Sequence, residues 1–157
     1  MNITFAPRGR VQIDGARITY KNFRGEGSQF NRAGDRNFAI VIPSREIADA
    51  LTAEGWNIRI KEARTEEEDD FMYLPVKVKF NERGPICYLR SGKNAIKLSE
   101  DTIHKLDEIL IENVDLDIRP YDWTVNGKTG RSAYLEAIEV TQKVVDRFAG
   151  RYEREDD

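Results

Sequence analysis

Apolar positions along the chain fall into short runs with the period of β-strands, interrupted at regular intervals by glycine, proline or clustered polar residues. From Val11 to about Arg24, the residues flanking Gly15 predict a long strand bent at that glycine. The glycine-rich stretch Gly25 to Asp35 supports neither strand nor helix periodicity and is expected to be a flexible loop. Arg36 to Ile42 is a nearly continuous apolar run closed by Pro43, as in a central strand. Ser44 is a good N-cap for a short helix over Arg45 to Glu54, with Ile47, Ala48 and Leu51 on one stripe and Gly55 as terminator.

Trp56, Ile58 and Ile60 alternate with polar residues, predicting a half-buried strand. Tyr73 to Phe80 points Leu74, Val76, Val78 and Phe80 inward and Lys77 and Lys79 outward. A turn through Asn81 to Gly84 then suggests a hairpin with Ile86 to Leu89. Ser99, followed by two acids, marks the start of a second short helix carrying Ile103 and Leu106.

The most definite element is a hairpin over about Ile109 to Thr141, turning at Asn126-Gly127, a pair suited to the positive backbone angles of a type I′ turn. A two-residue turn fixes the register. It opposes Arg119 to Tyr134, Tyr121 to Ser132 and Trp123 to Gly130, all on one face. Val114, Leu116, Ile118, Leu135 and Ala137 form the apolar opposite face. A bulge at Pro120 would exchange the faces upstream of it. Many short strands with two brief helices in the connections predict a mainly β fold, an open Greek-key barrel of the OB type.

With 157 residues the chain has room for one domain, taken as residues 1–150, followed by an acidic tail at 151–157. No segment is apolar and long enough for a membrane helix or a signal peptide, so a cytoplasmic protein without membrane contact is expected. The net charge of -3 is unevenly spread. Glu66 to Asp70 carries -5 and the tail -2, leaving +4 on the remainder, a mildly basic body suited to phosphates.

Catalysis and cofactors find little support. One histidine (His104) and one cysteine (Cys87) cannot form a usual zinc site, and no phosphate-cradling Walker loop is present. The acidic run lacks the interspersed glycine of a calcium loop and reads as solvated. Cys87, within an apolar run, reads as a buried structural thiol. A non-enzyme with no metal and no cofactor is expected.

Nucleic-acid binding fits better. Tyr121, Trp123 and Tyr134 beside Arg119 make a stacking platform, unless these rings pack on another element. Each stacked base contributes about 1–3 kcal/mol. A second mixture of rings and cations brackets the glycine-rich loop: Tyr20, Lys21, Phe23 and Arg24 before it, Phe30 and Arg32 within it, and Arg36 and Phe38 after it, of which Phe23, Arg24, Phe30, Arg32 and Arg36 are candidate contacts. An ordinary loop with Phe23 and Phe38 in the core accounts for that pattern equally well. Lys77 and Lys79 on their strand, and Lys128 and Arg131 near the hairpin turn, complete the set of candidate DNA contacts.

Four segments carry a resemblance: ITYKNFRG from Ile18, RNFAIVIP from Arg36, YLPVKVKF from Tyr73 and NVDLDIRPYDWTVNGKTGRSAYL from Asn113. In these the chain resembles bacteriophage single-stranded DNA-binding proteins of OB-fold type. The resemblance implies protection of single-stranded DNA during phage replication or recombination, in the host cytoplasm and without catalysis. A mobile acidic tail would suit contacts with replication or recombination proteins as further partners, and the free sheet edges of such a barrel would suit a homodimer. Unlike the best-known single-strand binders, the chain stops at Glu155-Asp156-Asp157 with no terminal aromatic. The competing reading is a phage protein-binding module that inhibits or recruits a host factor through the same aromatic face.

Overall fold

The computed structural model describes residues 1–144; the acidic tail lies outside the described residues. Ten strands form one sheet: β1 (Asn2–Phe5), β2 (Val11–Ala16), β3 (Ile18–Asn22), β4 (Arg36–Val41), β5 (Arg59–Lys61), β6 (Phe71–Val78), β7 (Ile86–Ser91), β8 (Asn94–Leu98), β9 (Ile111–Val125) and β10 (Lys128–Gln142). The hydrogen-bonded path runs β1-β2-β9-β10-β6-β4-β3 without closing, while β5 pairs with β6 and the β7-β8 hairpin hangs from β10. The mainly β expectation is met by this open sheet. Its inner side chains, together with helix α1 (Arg45–Ala53) and a 3-10 helix (Ile103–Asp107), share one core that includes Ile13, Ile40, Leu51, Leu74, Ile103, Leu106 and Ile118.

Local signals explain several elements. The Ile47 N–H donates to Ser44 Oγ at 3.2 Å, the expected cap of α1, whose buried stripe is Ala48 and Leu51. Gly55, at φ 92°, follows the helix in the left-handed region that ends it. The Asn126-Gly127 turn has φ of 51° and 78°, and the opposed pairs on β9 and β10 are those its geometry dictates, including Arg119 with Tyr134 and Trp123 with Gly130. Pro120 pairs with Ala133 without any shift; the register slips instead at Glu136. The slip turns Ala137 away from the core and brings Ile138 and Val140 in, opposite Leu116 and Val114.

Other expectations are corrected. Tyr73–Phe80 and Ile86–Leu89 do not pair with each other. β6 and β7 both run parallel to β10, at Ala133–Tyr134 and Ala137–Thr141 respectively, and the Asn81–Gly84 turn between them is an excursion that returns the chain in the same direction. The hairpin partner of β7 is β8, a strand absent from the sequence reading, joined through Gly92-Lys93. The second helix is a five-residue 3-10 helix; Ser99 instead donates its N–H to Thr102 Oγ1 at 2.8 Å in the preceding turn. Trp56 is buried just before β5, which is confined to three residues, and Ile60 is exposed.

Cys87 is fully buried, and loss of hydration for the thiolate pushes its pKa up to about 12. The native thiol is therefore expected to stay inert to a disulfide reagent at pH 8 and to react once urea unfolds the chain. Rapid labelling of the folded protein would refute that placement.

Candidate nucleic-acid interface

Alternation along β6 and its neighbours builds the site. Because Leu74, Val76 and Val78 turn inward, Phe71, Tyr73, Pro75 and Lys77 share the outer face. Pairing carries this face sideways, from Lys77 to Tyr134 on β10 and then to Arg119 on β9. On the other side it passes from Lys77 to Asn37 on β4, and on the β10 side of β6, further along the strand, from Tyr73 to Arg59 on β5. The outcome is an open groove of about 810 Å³ over the outer sheet face. It is lined by Tyr20, Tyr73 and Tyr134, by Arg36, Arg59, Lys77 and Lys79, and by the loop residue Phe30. Asp35 and Glu100 are its two acids.

Tyr134 stands at the junction of two aromatic groups. The Arg119 guanidinium lies 5.0 Å from its ring centroid and Lys77 Nζ 5.8 Å, while Tyr121 meets it edge-on at 5.8 Å. Beyond Tyr121, the arm formed by the ends of β9 and β10 is exposed, and Trp123 and Lys128 continue the same face. Trp123 lies across Gly130, where a Cβ would collide with the indole, so glycine is required there for the ring to lie against the strand. On the groove's far side Tyr73 stacks on Phe71 at 5.5 Å, and Tyr20 meets both rings edge-on.

Phe71, Tyr73 and Arg59 are contributors outside the sequence-derived clusters, and Tyr20, part of the ring-and-cation mixture around the first loop but not a candidate contact, joins them. Tyr20 follows Thr19, an outer-face residue paired with Ala39, and simple alternation would bury it. A register shift between Thr19 and Asn22, with Tyr20 at φ 50°, leaves its side chain 55% exposed beside Tyr73. The alternation of Arg59 and Tyr73 was a usable signal for their faces. Their juxtaposition depends on β5 pairing with β6.

The loop cluster divides. Phe30 is 92% exposed and Arg32 is also exposed. Phe23 is a correction: it has no exposed surface and stacks on Phe38 at 5.1 Å in the core, leaving no face for a base. Arg24 is held by two carboxylates, Asp107 at 3.3 Å and Glu108 at 3.1 Å, and Arg36 Nη1 donates to the Phe23 carbonyl at 2.7 Å while still lining the groove. The loop is also more ordered by its own bonds than its glycines suggest. Asn31 Nδ2 donates to the carbonyls of Glu26 and Asp35, and Asn37 Nδ2 donates to Asn31 Oδ1.

Arg131 is a second correction, because its β10 position faces away from Tyr134. Its guanidinium grips Asp122 through bonds of 2.7 and 3.1 Å and lies 5.5 Å from the ring centre of Trp56. The hydrogen bond from Arg131 holds the Asp122 carboxyl below its usual range. Arg131 therefore braces the base of the arm. His104, on the 3-10 helix, lies outside the groove. No group of three or more potential metal ligands occurs among the described residues. Among the described residues no helix is long and apolar enough to cross a membrane.

Comparison with solved structures returns the single-stranded DNA-binding protein of bacteriophage Enc34. In complex with ssDNA, that protein superposes with a TM-score of 0.61 at 11% identity over 93% of each chain. Another structure of it gives 0.59 at 10% identity over 96% of this chain and 90% of that one. A C-terminally truncated form gives 0.58 at 10% identity over 92% of each. At such identities the likeness establishes a shared fold. No curated protein matches the chain. Residues 2–154 match the family described as "Putative phage ssDNA-binding domain". Spanning nearly the whole chain, that match places this protein in the phage single-stranded DNA-binding domain family.

Proposed function

We propose that the chain coats single-stranded DNA with little sequence preference and protects it during phage DNA replication or recombination, acting without catalysis in the host cytoplasm. The observation that carries this reading is one sheet face on which exposed and half-buried rings, from Tyr20 and Tyr73 through Tyr134 to Trp123, lie among cations that form no ion pair among the described residues. Rings receive bases of any identity, because every base has a π-face, and flanking cations neutralise the phosphates. Tyr20, Tyr73, Tyr121, Trp123 and Tyr134, with Phe30 at the loop tip, are the stacking groups. Arg32, Arg36, Arg59, Lys77, Lys79, Arg119 and Lys128 are the phosphate contacts. The similarly folded Enc34 protein, seen in complex with ssDNA, supports the same use of this fold.

Of the two tryptophans Trp56 is buried and Trp123 is 37% exposed, so Trp123 is the optical reporter of the face. Titration with oligo(dT) is expected to quench its fluorescence, and the affinity should fall steeply between about 50 and 200 mM salt as counterion release yields a smaller entropic gain. An unchanged signal together with no retention on immobilised single-stranded DNA would overturn the proposal.

A further inference from the structure

A second hollow, of about 380 Å³, adjoins the groove where β6 and β7 pass along β10. It shares Lys79 with the groove. Its charged lining comprises Arg10, Lys79, Arg83, Arg119 and the single carboxylate of Glu136. Each cation arrives from a different element: Arg10 precedes β2, Lys79 follows β6, Arg83 sits in the turn before β7, and Arg119 lies on β9. That turn is fixed locally, with the Arg83 N–H donating to Asn81 Oδ1 at 2.8 Å and Asn81 and Gly84 exchanging backbone bonds.

Only Arg10 is paired. Its Nη2 lies 2.8 Å from Glu136 Oε1, whereas Lys79, Arg83 and Arg119 form no ion pair among the described residues. Glu136 faces Arg10 from the site of the β10 register shift. Asp117 feels the charges of Glu136, Asp14 and Arg10, and neither Asp117 nor Asp14 lines the hollow. Converging unpaired cations around a concave site, beside the Arg119 that also covers Tyr134, call for an anion.

We infer that this hollow holds a backbone phosphate of the bound strand, next to the nucleotide stacked on Tyr134, and that Glu136 limits its occupancy by competing for Arg10. The inference rests on the single-strand-binding reading. It adds a fixed point on the path of the strand, which leaves the groove past Lys79 and Arg119 toward Arg83. Glu136 acts as a restraint: it keeps Arg10 in place in the free protein and lowers affinity when DNA is bound.

The test compares wild type, Arg83→Gln and Glu136→Gln by oligo(dT) titration across a salt series, with circular dichroism as a check of folding. Arg83→Gln is expected to weaken binding about fivefold at low salt and to reduce the slope of log affinity against log salt by about 0.7, the share of one phosphate on a single strand. Glu136→Gln should tighten binding by roughly two- to fivefold, a gain that loss of a merely structural ion pair would not produce. Inorganic phosphate serves as the free-anion probe. Wild-type affinity and slope in Arg83→Gln, weaker binding in Glu136→Gln, or phosphate binding abolished by Arg83→Gln with oligo(dT) binding untouched would each overturn the inference while leaving the single-strand reading intact. Failure of the wild type itself to bind oligo(dT) would instead refute that reading.

Discussion

Tyr134→Ala is expected to weaken oligo(dT) binding by roughly five- to 150-fold, the equivalent of about 1–3 kcal/mol for one stacked base, with the fold intact. The reason lies in its neighbours. Tyr134 sits on the continuous outer face between the Tyr73 group and the Tyr121–Trp123 arm, and it is the ring approached by both Arg119 and Lys77. Removing it takes away a base platform and interrupts the track at its centre. Because the side chain is partly exposed and belongs to no core cluster, stability should change little. Tyr134→Phe keeps the ring and should retain most of the affinity. Wild-type binding by the alanine variant, or an equal loss in the phenylalanine variant, would remove Tyr134 from its assigned role.

Phe23→Ala is expected to destabilise the fold by about 3–5 kcal/mol, measured by urea unfolding, with binding by the remaining folded fraction unaffected. The ring is stacked on Phe38 with planes 24° apart and is wholly excluded from solvent, so truncation leaves a cavity among Phe38 and its core neighbours. The backbone around it is pinned on both sides. The Phe23 N–H donates to Asp107 Oδ1 at 2.9 Å, and its carbonyl accepts from Arg36. Such anchoring leaves the site little freedom to collapse into the void, which places the expected cost toward the upper part of the range. A variant as stable as wild type but defective in binding would mean that Phe23 faces the DNA after all.

These two aromatic residues show how far local pattern carries. Tyr134 was placed on the outer face by counting from the Asn126-Gly127 turn, a valid inference because a two-residue turn and period-two alternation are rigid local rules. Phe23 was assigned to a loop cluster because cations surround it in sequence. Of those cations Arg24 is taken up by Asp107 and Glu108, while Arg36 donates to the Phe23 carbonyl and still lines the groove. The partners of Arg24, Asp107 at the end of the 3-10 helix and Glu108 just after it, lie more than eighty residues away along the chain, and no local pattern announces them. Arg131 differs from these: it lies near the turn, as Lys128 does, but strand parity places it opposite Asp122 and off the aromatic face.

The parallel course of β6 and β7 is a similar case. An Asn81–Gly84 turn between two strand-like runs resembles a hairpin, since a turn's sequence reports that the chain bends and not where it goes next. Pairing with β10 decided the direction. Thus the sequence by itself determined the β-rich character, the capped helix α1, the Asn126-Gly127 arm and its register, and the burial of the inward sets on β4, β6 and β9, because each follows from interactions within a few residues or across one tight turn. Only the tertiary structure decided that Tyr20, Tyr73 and Tyr134 share a face, that Arg10, Lys79, Arg83 and Arg119 converge, and that Phe23 belongs to the core. Those outcomes depend on which distant strands pair, and on bulges at Tyr20 and Glu136 that the pairing imposes.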